Sequence, residues 1–181
     1  QAWQKMFTIL DRVPEIIEQY KIRKDSNFTS FHLCEAPGAF ISALHYYLLW
    51  NHKRIHKKWN WTAQSLMDDT DDKFGDNYGF IRKYRDNWDF GPLGTGDILS
   101  LKNQRYYLKK YGRKEDDTGG VDFATLDCGT TDMKSENLQK GVNLENSKLS
   151  KLRQVEQYLI LKLVKVGGCG VFKSVLPLTG M

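Results

Sequence analysis

The stretch that constrains this chain most is FHLCEAPGAF, from Phe31 to Phe40. The residues before it predict a strand over Phe28–Leu33, and those after it predict an apolar helix over Ala39–Trp50. Pro37 and Gly38 place a tight turn between the two. A strand, a glycine turn and a helix form the first half of a nucleotide-binding α/β unit, in which unpaired N–H groups at the helix start face the ligand. Such a turn more often has a purely structural role, so it does not by itself predict nucleotide binding, and other motifs are needed.

The composition predicts one globular domain. The chain has 181 residues, of which 40% are hydrophobic and 27% charged, which is enough to bury a core. No apolar run reaches the length of a membrane span, and no signal peptide opens the sequence. Cys34, Cys128 and Cys169 lie far apart without C-x-x-C spacing. This pattern argues against a disulfide scaffold or a zinc site and is typical of a reducing, intracellular compartment.

The basic residues form two clusters, and the formal net charge is +5. One cluster lies at 53–58, and the other lies at 102–114, interleaved with Tyr106, Tyr107 and Tyr111. Each cluster by itself is typical of a solvated helix face. Two such clusters with aromatic side chains in one small domain favour binding to a phosphate backbone.

Two segments carry a resemblance to a known family. Glu35–Phe40, EAPGAF, resembles the S-adenosylmethionine (SAM) loop of the FtsJ/RrmJ-like 2′-O-methyltransferases, above all the adrift type that acts on mRNA caps. Trp88–Ile98, WDFGPLGTGDI, is similar to the family segment W-x-F-G-P-x-x-T-G-D-I. The resemblance implies an α/β, Rossmann-like methyltransferase fold, with a mostly parallel sheet and helices on both faces. Nicotinamide-type oxidoreductases would instead show G-x-G-x-x-G at the turn.

The resemblance also implies which residues bind SAM. They are Cys34, Glu35, Ala36, Pro37, Gly38, Ala39 and Phe40 of the turn, together with Trp59 and Asp97. Trp59 opens a second predicted strand, Trp59–Leu66, and packing of its ring in the core is an equally good interpretation. Asp97 is also suited to cap a predicted helix over Ile98–Tyr111, and the two roles are compatible.

Three further residues match catalytic positions of the family. Val121–Asp127 predicts a buried strand that ends in an acid, although an Asp here is also a common turn residue. Gly170–Leu176 predicts a buried strand, in which Lys173 has apolar neighbours and needs a role or a partner. Lys5 follows Ala-Trp-Gln, similar to the family pattern A-W-x-K. The resemblance thus implies Lys5, Asp127 and Lys173 as catalytic residues, with Lys173 acting on the target 2′-hydroxyl.

The remaining pattern predicts a single domain over 1–181, with an N-terminal helical segment over 1–25 and the α/β core over 26–181. Pro14 should divide the first helix, Ala2–Tyr20. An amphipathic helix should run from Leu149 to Val166 and end at Gly167–Gly168. The family's fourth catalytic residue, a Glu on a later strand, has no counterpart in the sequence, and neither do the last strands of a full methyltransferase sheet.

These expectations converge on a SAM-dependent RNA 2′-O-ribose methyltransferase that acts on the cap-proximal nucleotide of mRNA. Its partner would be RNA and its cofactor SAM, with no metal and no membrane, in the nucleus, the cytoplasm or a viral cytoplasmic replication site. The alternative is a catalytically inactive SAM-fold module that binds RNA or a protein, which the missing Glu and strands favour.

Overall fold

A computed structural model of the chain describes residues 1–19, 27–67, 76, 78–128 and 142–173, with side chains from 150 onward in the last range. Residues 68–75, residues 129–141 and the end of the predicted last strand lie outside the described residues.

Four parallel strands form one sheet in the order β2-β1-β3-β4. Their bounds are Phe28–Leu33 for β1, Trp59–Ala63 for β2, Val121–Leu126 for β3 and Val164–Phe172 for β4. A parallel bridge from Ala63 to Trp88 continues the pairing beyond β2. The chain leaves β1 toward one edge of the sheet and returns to place β3 on its other side, so the topological switch point lies between β1 and β3. The predicted α/β, Rossmann-like class is confirmed.

Helices cover both faces of the sheet. They are α1 (Ala2–Arg12), α2 (Glu15–Glu18), α3 (Ala39–Asn51), α4 (Lys53–Lys57), α5 (Phe80–Lys83), α6 (Leu101–Tyr111) and α7 (Val142–Leu163), with a 3-10 turn at Arg85–Asn87. On one face α1 and α3 pack through Met6, Leu10 and Leu44 against Phe123. On the other face α6 and α7 pack through Tyr107 and Leu159 against Phe31 and Leu126. Because β3 lies between two helical layers, all of its residues are buried.

The boundary between α7 and β4 differs from the prediction. The helix ends at Leu163, and β4 begins at the next residue and continues through Gly167 and Gly168. The expectation that these glycines end a helix reaching Val166 is therefore wrong. A Cβ at Gly168 would lie 2.9 Å from the Asp122 carbonyl oxygen, so this glycine permits close packing of β4 on β3. In contrast, the predicted division at Pro14 is confirmed, because α1 ends before it and α2 follows it.

Among the described helices, none combines the length and the apolar character required to cross a membrane.

Candidate active site at the carboxyl edge of the sheet

A buried glutamine joins three loops at the carboxyl ends of the strands. The Cys34 N–H donates to Gln64 Oε1 over 3.1 Å, and Gln64 Nε2 donates to the Gly96 carbonyl oxygen. Next to it, the Ala36 N–H donates to Ser65 Oγ over 3.1 Å. The loops after β1 and β2 are thus fixed to the glycine-rich loop at 91–98. The sequence predicted Gln64 and Ser65 inside the strand Trp59–Leu66, whereas β2 ends at Ala63, so their role at this edge was missed.

The glycine-rich loop approaches the loop after β2 very closely at Gly96. This residue has φ +61°, and a Cβ on it would lie 1.8 Å from the Ser65 carbonyl oxygen, so only glycine fits. Asp97 follows, and its Oδ1 accepts the Leu99 N–H over 2.8 Å. It does not cap α6, which begins at Leu101 after Ser100. Within the described part of the chain, Asp97 Oδ2 has no hydrogen-bond partner and is available to a ligand.

The turn after β1 is held by its own buried carboxyl group. Glu35 Oε1 accepts the N–H groups of Phe40 over 2.7 Å and Ile41 over 3.1 Å. These first amides of α3 are therefore occupied, contrary to the expectation that the helix start offers them to a ligand. Burial raises the pKa of Glu35 to about 8, although the two N–H groups oppose the rise.

Gly38 is needed for packing within the protein. It has φ +105°, and a Cβ on it would lie 2.4 Å from a ring carbon of Phe80. The Phe80 ring stacks on Trp61 with 5.7 Å between centroids. A larger residue at Gly38 would thus displace α5 as well as strain the turn. A substitution of Gly38 would therefore disturb the fold in addition to any effect on ligand binding.

Two of the predicted catalytic residues lie together. The Lys173 N–H donates to the Leu126 carbonyl oxygen over 3.0 Å, and the Lys173 ammonium pairs with Asp127 Oδ1. Their side chains are 47% and 18% exposed. Lys173 directly follows β4, the outermost described strand on that side, so the expected burial inside a strand is wrong. The ion pair with Asp127 explains its position instead.

Neither Lys5 nor Trp59 takes part in the ion pair of Asp127 and Lys173. Lys5 is exposed on α1, and among the described residues no ion pair joins it to Asp127. Trp59 pairs with Phe28 at the amino end of the sheet, and its indole N–H donates to Ser30 Oγ over 2.8 Å. The assigned roles of Lys5 and Trp59 remain predictions.

A disulfide between Cys34 and Cys128 joins the ends of β1 and β3. The cysteine spacing did not predict this bridge. The two residues are 94 positions apart with Cα atoms at 4.9 Å, and such a pairing leaves no local signal in a sequence. Cys169 is free. No group of at least three His, Cys, Asp or Glu side chains suited to a metal ion occurs among the described residues.

The tyrosines of the second basic cluster point inward. Tyr106, Lys110 and Tyr111 donate to Asp89 Oδ2 over 3.1, 2.8 and 2.6 Å, and Tyr107 is fully buried. These tyrosines therefore form hydrogen bonds and pack within the protein, and the predicted phosphate binding depends on the exposed cations of the cluster. The lysines and the arginine at 102, 105 and 109 remain exposed. Beside the cluster, a cavity of about 340 Å³ reaches from Lys110 and Tyr111 to the end of β2.

Near the first basic cluster, exposed aromatic side chains do occur. Trp50 is 64% exposed, and its ring lies 5.8 Å from that of the exposed Tyr46. Lys53 and Arg54, both exposed, come after two intervening residues in the chain. This surface combines flat rings with cations, which is the combination that binds single-stranded nucleic acid.

We expect the free energy of unfolding to fall as the pH rises from about 5 to about 8. Glu35 binds its proton more tightly in the folded chain, with a pKa raised from 4.5 to about 8. Its contribution is therefore complete below the unfolded value and is lost as the pH rises through the folded value, by at most about 1.4 kcal/mol per pH unit. Glu156 acts in the same direction, since burial raises its pKa to about 7.

The matched variant is Glu35→Gln, whose amide oxygen still accepts the two N–H groups of α3 but cannot titrate. Chemical denaturation between about pH 6.5 and 8.5 should show a flatter slope for this variant than for the wild type. His32, whose pKa burial lowers to about 3, has the opposite effect only below about pH 6.5 and does not interfere. Parallel slopes in this interval would contradict the assignment to Glu35.

Several curated proteins are similar to this chain. An uncharacterized protein of Acanthamoeba polyphaga mimivirus is 34% identical over 181 residues, which is 98% of this chain and 21% of that protein. The cap-specific mRNA (nucleoside-2′-O-)-methyltransferase 2 of Danio rerio is 31% identical over 183 residues, 96% of this chain and 22% of that protein. A probable methyltransferase of African swine fever virus is 33% identical over 154 residues, 80% of this chain and 33% of that protein.

The chain spans about a fifth to a third of the length of these relatives. No family model and no solved structure matches it significantly.

Proposed function

We propose that this chain, which is related to the cap-specific mRNA 2′-O-methyltransferases and to a probable viral methyltransferase, methylates RNA on a ribose 2′-oxygen. The methyl donor would be SAM and the target the cap-proximal nucleotide of mRNA. The observation that carries the proposal is the ion pair of Lys173 and Asp127 at the carboxyl edge of the sheet, beside the switch point where open α/β sheets bind their ligands.

The residues at this edge fit SAM, which would supply an electrophilic methyl group. The available Oδ2 of Asp97 suits the hydrogen-bond donors of an adenosine. Gly94, in the same loop, has no atom within 4 Å of a Cβ position, so the loop is open on this side. Residues 34–38 border the other side, where Gln64 fixes the turn to the glycine-rich loop. The turn and this loop would hold the two ends of the cofactor.

Lys173 would orient the 2′-hydroxyl and accept its proton, and Asp127 would hold Lys173 in place. An alcohol is a weak nucleophile until it shares or loses its proton, so a positioned base accelerates the displacement. Placing the oxygen in line with the leaving sulfur supplies a further part of the acceleration. The pairing of the Lys173 ammonium with the Asp127 carboxylate at the ends of neighbouring strands supports the positioning role. The ammonium must first lose a proton to solvent, because only the neutral amine can accept the proton of the hydroxyl.

The RNA substrate would bind through phosphate contacts. The exposed surface formed by Tyr46, Trp50, Lys53 and Arg54 supports this part of the proposal. Binding that depends on phosphate weakens steeply with salt.

The proposal is tested by methyl incorporation from labelled SAM into capped RNA. Label should enter RNA with a free 2′-hydroxyl on the first nucleotides, and nuclease mapping should locate it on a ribose. The matched control is the same RNA already 2′-O-methylated at those nucleotides, which should take up no label. If the folded chain bound SAM and RNA yet transferred no methyl group, the proposed activity would be wrong and the binding module would stand in its place.

A further inference from the structure

Glu156 occupies a position in α7 where an apolar residue is expected. The buried face of this helix consists of Leu152, Glu156, Leu159, Ile160 and Leu163, a spacing that places all of them toward the sheet. Glu156 is only 3% exposed. A carboxyl group in such a stripe loses its hydration and is retained at a cost in stability unless a partner or a role compensates for it.

The partner of Glu156 is the residue that follows the predicted catalytic acid. The Cys128 N–H donates to Glu156 Oε1 over 3.2 Å. Cys128 comes directly after Asp127, whose carboxylate pairs with Lys173. The hydrogen bond therefore fixes the backbone from which Asp127 projects, and it links α7 to the ends of β3 and β4.

Charged groups from three elements face this carboxyl group. Burial raises the pKa of Glu156 to about 7, the Cys128 N–H opposes the rise, Asp127 adds to it, and Arg153 and Lys173 oppose it. Arg153 lies on α7 itself, Asp127 at the end of β3 and Lys173 at the end of β4. Glu35, at the end of β1, interacts with Asp127 in turn.

We propose that Glu156 is a positioning residue for Lys173 and Asp127, which holds their geometry by hydrogen bond and controls the proton on Lys173 by charge. The inference rests on the proposed function, in which Lys173 must release a proton to accept the one on the hydroxyl. An ionised Glu156 stabilises the Lys173 ammonium, and a neutral Glu156 leaves it to Asp127 alone.

The first test is the pH dependence of methyl transfer by Glu156→Gln. Glutamine keeps an oxygen for the Cys128 N–H but carries no charge. The pH of half-maximal turnover should therefore move down by about half a unit or more, because an opposite charge near an ammonium delays its deprotonation. Gln157→Ala, an exposed neighbour on the same helix, should keep the wild-type profile. A purely structural role for Glu156 predicts superimposable profiles, and that result would overturn the inference.

Glu156→Leu removes the acceptor as well as the charge. It should lower kcat by about tenfold to a hundredfold while changing the KM for SAM little, because a misplaced base affects the chemical step more than binding. An equal loss in both parameters, or a normal kcat, would contradict positioning.

A second readout does not depend on turnover. Nuclear magnetic resonance of the labelled Glu156 carboxyl group should show its proton leaving at a higher pH in Lys173→Ala than in the wild type, because the cation that favours the carboxylate has been removed. If the titration of Glu156 responded to Lys173→Ala but the wild type transferred no methyl group, the proposed function would be refuted and the interaction between Glu156 and Lys173 would stand. Methyl transfer without any coupling would refute the inference and leave the proposed function intact.

Discussion

Lys173→Ala should reduce methyl transfer by about 10²–10⁴-fold, the usual contribution of a general base, and should leave SAM affinity almost unchanged. The reason is that Lys173 lies at the end of β4 beside Asp127, away from the Asp97 side of the edge. With a half-exposed side chain, Lys173 is not required to fill the core. Its removal should therefore lower the melting temperature only slightly.

Lys173→Arg provides the matched control. Arginine keeps a positive charge for Asp127 but does not release its proton at any working pH, so it should preserve stability without restoring turnover. Turnover on capped RNA, SAM affinity by calorimetry and thermal stability should be measured for both variants. Near-normal turnover of Lys173→Ala would contradict the catalytic role of Lys173. Parallel losses of stability, affinity and activity would show instead that the ion pair serves the fold.

Removing the disulfide by Cys34→Ser with Cys128→Ser should lower the free energy of unfolding by about 2–4 kcal/mol. The bridge closes a loop of 94 residues, so it restricts the unfolded chain strongly. It also ties the turn at 34–38 to the residue after Asp127. SAM affinity should therefore fall along with stability.

Cys169→Ser is the matched control, because the Cys169 thiol is free and only half-buried. This substitution should lower the free energy of unfolding much less than the loss of the disulfide does. Denaturation of the wild type in urea, with and without a reductant, gives the contribution of the disulfide to the free energy of unfolding. The stability of the double variant should not change with the reductant. Thiol titration after unfolding without reductant should find one free cysteine. Titration of all three cysteines would show that the disulfide does not form.

The turn at Pro37 and Gly38 was predictable from the sequence because its determinants are local. An apolar strand, a turn residue with φ +105° and an apolar helix each reveal themselves within a few residues. The boundary between α7 and β4 was not predictable in the same way. Apolar residues continue across it, interrupted only by Lys162 and Lys165, and the pairing of β4 with β3 shows where the helix ends.

The same distinction applies to the site. Asp127 and Lys173 stood out because each ends or follows an apolar run, and parallel strands bring such positions to one edge. Gln64 and Glu156 did not stand out, because a single polar residue in a regular pattern resembles ordinary variation. Their importance depends on which N–H and C=O groups approach them from distant parts of the chain.

The amide of Gln64 has two unlike ends, and the edge of the sheet uses both. Its oxygen faces an N–H of the turn after β1, and its nitrogen faces a carbonyl of the glycine-rich loop. A carboxylate would repel that carbonyl, and a hydroxyl is too short to span both partners. The turn and the loop are consequently one mechanical unit, and a molecule that displaces either of them must displace the other. A ligand that binds between the turn and the loop therefore meets two segments that one side chain holds together.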